Sequence, residues 1–178
     1  MKRMILASGS PRRKELLQML EVPFEVLVSD TKEVITKNEP AEVTKELSYQ
    51  KAMAVAEQVE EGIIIGADTV VSIDGKILGK PADTEEAREM IYKLQGKSHM
   101  VYTGVTVIAK SGDMVSASSF AEGTKVNVAP MTENEIEAYI STDEPYDKAG
   151  AYGIQGLFGK FIEGIKGDYF NVVCLPVH

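Results

Sequence analysis

The sequence predicts an α/β protein built on a mixed sheet. Apolar, strand-like runs such as Met4-Ile5-Leu6-Ala7 and Ile63-Ile64-Ile65 alternate with stretches that carry apolar residues at helical spacing. Turn signals at Asp74-Gly75 and Ser111-Gly112-Asp113 each join two apolar runs, which adds antiparallel hairpins to the sheet. No repeat, linker or low-complexity tract divides the 178 residues, so one domain spanning 1–178 is expected.

Met4 to Ala7 reads as a buried strand leading into Ser8-Gly9-Ser10-Pro11-Arg12-Arg13-Lys14. Ser10 suits an N-cap and Pro11 a first helical residue, with Leu16, Leu17 and Leu20 as the apolar face of a short helix. Arg12, Arg13 and Lys14 then fall in the first turn, where the helix dipole disfavours cations by roughly 0.3–1 kcal/mol each. Either the three point into water, or an anion sits among them, cradled by the free amides after Ser8. A second apolar run, Phe24 to Val28, ends in the polar loop Ser29-Asp30-Thr31-Lys32-Glu33. From Pro40 to about Val59 a long helix carries Val43, Leu47, Val55 and Val59 on one stripe, with Lys51 in the missing position. That lysine either snorkels outward or faces an acidic partner or ligand.

Ile63-Ile64-Ile65 should be a central strand that delivers Gly66-Ala67-Asp68-Thr69 at its end. A carboxylate in so apolar a stretch is either a turn cap or a metal ligand or base at an opening in the sheet. Ser72 to Leu78 reads as a hairpin that leads to Gly79-Lys80-Pro81. Asp83 or Thr84 caps a helix with Ala87, Met90, Ile91 and Leu94 inward. His99 to Val128 is strand-like, and His99 itself reads as structural rather than as a ligand. Thr132 and Glu135 form a capping box for a helix through Ile140. In Glu144 to Gly156, Gly150, Gly153 and Gly156 suggest a backbone bent closely around something, or an ordinary surface loop. Phe161 to Ile165 and Val172 to Leu175 resemble short closing strands.

The formal charge of −8 argues against general affinity for nucleic acid or anionic membranes, so phosphate binding must be local. Acidic residues suit a hard divalent cation. The single cysteine, Cys174, fits a reducing compartment, and Met1-Lys2-Arg3 is followed by no apolar core of signal-peptide length. A cytoplasmic location is expected.

Five motifs taken in order resemble the Maf family of nucleoside triphosphate pyrophosphatases. They are Leu6 to Arg13, Gly66 to Val71, Gly79-Lys80-Pro81, Thr103-Gly104-Val105 and Asp147 to Gly156, and the match that they belong to runs in order over nearly the whole chain. The resemblance implies an elongated mixed-sheet fold akin to inosine triphosphatase, with two lobes flanking a central cleft. It implies a divalent cation, Mg²⁺ or Mn²⁺, and hydrolysis of a nucleoside triphosphate to the monophosphate and pyrophosphate. The Arg12-Arg13 and Ala151 to Gln155 runs resemble the branch that prefers dTTP, UTP and modified uridine triphosphates over 7-methyl-GTP. By the same resemblance Asp68 is the general base or a metal-linked aspartate, and Arg12, Thr69 and Gln155 are specificity positions. Arg13, Glu33, Lys51 and Lys80 would contact phosphate or metal, with Glu33 and Asp68 as the metal ligands and Ser8 in the phosphate turn. A homodimer and a link to restraint of cell division also occur in the family.

Three features depart from the family pattern. Asn127-Val128 stand in place of a valine-phenylalanine pair, Cys174 stands in place of a glycine before Leu-Pro, and with His178 as the last residue the family's C-terminal helix is not expected. The competing class is a nucleotide-binding regulator of septum formation without turnover, which would need the phosphate turn but not the pair Glu33 and Asp68. A phosphatase acting on the terminal phosphate is a third reading. For the first reading, one glutamine amide complements the adjacent acceptor oxygen and imide N–H of uracil or thymine, which suits Gln155.

Overall fold

The computed structural model describes residues 3–28 and 30–178; Met1, Lys2 and Ser29, the first residue of the polar loop, lie outside the described residues. Seven strands form one mixed sheet: β1 (Met4–Leu6), β2 (Glu25–Val26), β3 (Glu61–Ile73), β4 (Lys76–Leu78), β5 (Ser98–Ser111), β6 (Met114–Val128) and β7 (Ile162–Lys166). Their order is β2-β1-β3-β5-β6-β7, with β4 paired to β3. β1 lies parallel to both its neighbours, while the β3–β4 and β6–β7 pairs are antiparallel. The helices are α1 (Pro11–Gln18), α2 (Pro40–Ala56), α3 (Thr84–Leu94), α4 (Glu133–Ile140) and α5 (Tyr169–Val173). None of the described helices is long and apolar enough to cross a membrane.

The chain divides into two compact units. The first comprises Met1–Thr69, Thr103–Glu122 and Cys174–His178, and the second Val70–Tyr102 and Gly123–Val173. In the first, Ile5, Ala7, Ala52, Val55, Ile64 and Ile108 form the core, where the β-branched strands meet the α2 stripe. The approach is close because Gly66 of β3 has no side chain. A Cβ there would lie 2.3 Å from the Ser48 carbonyl oxygen and 2.9 Å from the Ala52 backbone nitrogen. In the second unit Ile91, Leu94, Val101, Val126, Ile136 and Phe158 are buried together. His99 is structural, as expected: its Nε2 lies 2.7 Å from the Tyr152 hydroxyl, and the ring packs edge-on to Tyr152, which packs on Phe158.

Four sequence expectations are corrected. Leu20 is exposed, because α1 ends at Gln18 before its turn is reached. The Phe24 to Val28 run yields only a two-residue strand whose residues are both exposed. Asp68 does not stand at a strand end, since β3 continues to Ile73. Val172 and Val173 belong to α5 rather than to a strand: Asp168 folds its carboxylate onto the Phe170 amide at 2.8 Å and starts a helical turn. Beyond α5, Cys174 adopts φ +141°, a backbone conformation that favours glycine.

Three measurements bear on these packings. Gly66→Ala is expected to lower the free energy of unfolding in urea by about 3 kcal/mol, because the added methyl meets helix backbone rather than a movable side chain. Cys174→Gly is expected to raise it by about 1 kcal/mol, the relieved backbone strain exceeding the lost thiol packing and the added chain entropy. Burial pushes the His99 imidazole down to about 4 from 6.5. The unfolded chain therefore binds more protons than the native one between those values. The contribution is intact above pH 6.5 and falls by about 3 kcal/mol as pH drops through the window. His99→Phe should remove that slope from urea unfolding measured at pH 7 and pH 4.5.

Candidate active site

In the first unit, β1 runs parallel to β3 from Met4 opposite Ile63 to Leu6 opposite Ile65, and the last bond of that edge is Ala7 N–H to the Ile65 carbonyl at 2.8 Å. The chain then leaves the sheet to start α1. From Gly66 to Thr69, β3 has no partner on that side among the described residues of the unit. Asp68 and Thr69 therefore lie at an opening in the sheet, one of the two settings expected for the aspartate. Asp68 is 13% exposed, so it is largely buried yet reachable from solvent.

Lys51 extends from α2, one residue before Ala52, whose backbone packs on Gly66. Its ammonium meets Asp68 Oδ1 and lies 3.0 Å from Glu33 Oε1. Of the two expectations for this lysine, the inward one holds. Both carboxylates thus converge on one cation. Among the described residues no group of three or more His, Cys, Asp and Glu is gathered to hold a metal. Two carboxylates still suit Mg²⁺, which keeps several waters and takes its remaining oxygens from phosphates.

Consecutive residues of a strand face opposite sides of the sheet. Gly66 and Asp68 share the α2 side, and Thr69 takes the other. There the Thr69 hydroxyl accepts from Arg13 Nη2 at 3.2 Å and lies 2.9 Å from the Thr103 hydroxyl. Arg13 also donates from Nη1 to the Ser8 hydroxyl and from Nε to the Cys174 carbonyl, both at 3.2 Å. Arg13 therefore does not simply point into water: it turns back onto its own unit, using three of its five N–H groups among the described residues. Ser10 caps α1 by accepting from the Arg13 amide at 3.5 Å, and Ser8 accepts from the Ser10 amide at 3.3 Å. Arg12 is half-buried and Lys14 exposed.

In the second unit, the Gly79 carbonyl accepts from the Gly150 amide at 2.9 Å, which ties the segment before Lys80 to the glycine-rich segment that ends at Gly156. Lys80 and Gln155 are both exposed. The glycine-rich segment bends around Glu144 of its own chain. A Cβ at Gly156 would lie 2.2 Å from Glu144 Oε2, and that carboxylate accepts from the Leu157 amide at 2.7 Å, the Phe158 amide at 3.3 Å and the Tyr139 hydroxyl at 3.1 Å. Sequence reading singled out neither Glu144 nor the Cys174 carbonyl. The glycines at 153 and 156 that follow this acid in sequence are the one local hint of the former.

The structure therefore brings Glu33, Lys51 and Asp68 together, and Ser8, Arg13 and Thr69 together, the two groups joined through the Asp68–Thr69 peptide. A family model described as "Maf-like protein" matches residues 3–178. A dTTP/UTP pyrophosphatase of Bacillus cytotoxicus is 53% identical over 99% of this chain and 91% of its own length. One from Bacillus cereus (strain ATCC 10987) is 51% identical over 99% and 86%. Among solved structures, the Staphylococcus aureus Ham1 protein superposes with a TM-score of 0.51 at 16% identity over 72% of each chain, a likeness of fold alone. With the full-length family match and half of all positions shared with named relatives, the chain belongs to the Maf-like family.

Proposed function

We propose that this protein is a nucleoside triphosphate pyrophosphatase that hydrolyses dTTP and UTP to the monophosphate and pyrophosphate. The reading is supported by relatives of that name at about half identity over nearly their whole length. The observation that carries the chemistry is the convergence of Glu33 and Asp68 on Lys51 at the sheet opening. Water bonds to the α-phosphorus, the bond from that phosphorus to the α,β-bridging oxygen breaks, and pyrophosphate leaves with the electron pair. Phosphate oxygens compete with the carboxylates for the Lys51 ammonium. As Lys51 turns to them, Glu33 and Asp68 become available to a divalent cation and to the attacking water. The cation supplies charge neutralisation for the departing phosphates.

Asp68, the more buried acid, orients that water and takes its proton. Arg12, the remaining N–H groups of Arg13, Lys80 and the Ser8 to Ser10 turn bind phosphate oxygens. Thr69, held by Arg13 and Thr103, and Gln155 recognise the base, the glutamine amide matching the acceptor and imide donor of uracil or thymine.

Incubation with a panel of triphosphates and Mg²⁺, with and without added inorganic pyrophosphatase, tests the reaction. Pyrophosphate as first product is expected, and inorganic phosphate as first product, or tight binding without turnover, would refute it. Asp68→Asn should lower kcat by about 10²–10⁴-fold with an unchanged unfolding midpoint, whereas Gln155→Ala should narrow the preference for dTTP and UTP and leave residual hydrolysis. A rate for Asp68→Asn within a few-fold of the parent in saturating Mg²⁺ would remove Asp68 from the chemistry.

A further inference from the structure

Glu33 sits on a segment with little else to hold it. Residues 31–39 have no regular secondary structure, and all nine are exposed, so burial does not fix where its carboxylate lies. Polar contacts to α2 do. The Gln50 side-chain amide pairs with both backbone groups of Val34: Oε1 accepts from the Val34 amide at 2.9 Å, and Nε2 donates to the Val34 carbonyl at 2.6 Å. One turn earlier, Glu46 accepts from the Thr36 amide at 2.9 Å and from its hydroxyl at 2.5 Å. Spacing of four residues puts Glu46 and Gln50 on one face of α2. Two side chains of the helix thus hold the segment, beginning with the residue after Glu33.

We propose that Gln50 and Glu46 are positioning residues, which hold the Glu33 carboxylate beside Lys51 and Asp68 by fixing the backbone on its C-terminal side. The proposal rests on the reading that Glu33 and Asp68 share the functional site, and it adds residues that touch neither substrate nor metal. Ordering the segment beforehand spares the site that entropy when the triphosphate and Mg²⁺ arrive. The hydrogen bonds to Thr36 hold the Glu46 carboxyl below its ordinary range.

The test compares Gln50→Ala, Glu46→Ala, Glu46→Gln and Glu33→Gln by UTP hydrolysis across a Mg²⁺ titration, by thermal unfolding, and by hydrogen exchange at the Val34 and Thr36 amides. In Gln50→Ala and Glu46→Ala, those amides should exchange about tenfold faster or more. The Mg²⁺ concentration for half-maximal rate should rise about tenfold, with the KM for UTP at saturating Mg²⁺ and the unfolding midpoint little changed. Glu46→Gln, which keeps an acceptor for Thr36, should recover most of the loss. Glu33→Gln should shift the Mg²⁺ dependence as far with no change in exchange. If exchange accelerates in the alanine variants while their Mg²⁺ dependence matches the parent and Glu33→Gln still shifts it, positioning by Gln50 and Glu46 is refuted and the site reading stands. If Glu33→Gln leaves the Mg²⁺ dependence unchanged, the site reading fails and this proposal falls with it.

Discussion

The close seat of α2 on β3 is the constraint on which the first unit depends. Helix backbone can lie against the strand only where the strand has no side chain, and Gly66 provides that place between Ser48 and Ala52. Lys51 sits between those two residues, so the same contact carries its ammonium to Asp68, two positions further along the strand. The Lys51–Glu33 pair adds little to stability. Glu33 is about half exposed, and pairs open to water contribute on the order of 1 kcal/mol or less. What the packing supplies is position: two acids and a cation brought to one point by elements that a core of aliphatic residues holds rigid.

The second consequence follows from the length of β1. A three-residue strand can pair with only part of β3, and once the chain turns at Ser8 toward α1 the neighbouring edge of β3 is open. Two networks meet at that edge. The acidic one faces α2, and the hydroxyl and guanidinium one faces the start of α1, because adjacent strand residues alternate sides. Arg13 ties the second network to Cys174 near the other end of the sequence. The strained backbone at Cys174 therefore borders the Arg13 network rather than a remote surface.

Within the second unit, order is imposed by buried rings and one carboxylate. Tyr152 is fixed between His99 and Phe158, and burial holds its hydroxyl well above the usual phenol range. A few residues on, Glu144 binds the amides of Leu157 and Phe158. The exposed Gln155 is thereby bracketed by two anchored points, which limits the positions its side chain can take.

By itself the sequence determined the elements whose signals are local. Ser10-Pro11, the Asp83-Thr84 pair and the Thr132–Glu135 box start helices where their side chains can cap them, and Asp74-Gly75 turns a hairpin because both residues accept positive φ. It also marked Arg12, Arg13 and Asp68, since cations at a helix start and an acid in an apolar run are anomalies visible without coordinates, whereas Thr69 and Gln155 were singled out by the family resemblance. Only the tertiary structure decided which of two directions Lys51 takes, that Arg13 spends three donors inside its own unit, and that Gln50 and Glu46 bind the segment carrying Glu33. It also replaced the expected last strand with α5. These outcomes depend on partners far apart in sequence, and a hydrogen bond between residues 13 and 174 leaves no periodicity or spacing from which to read it.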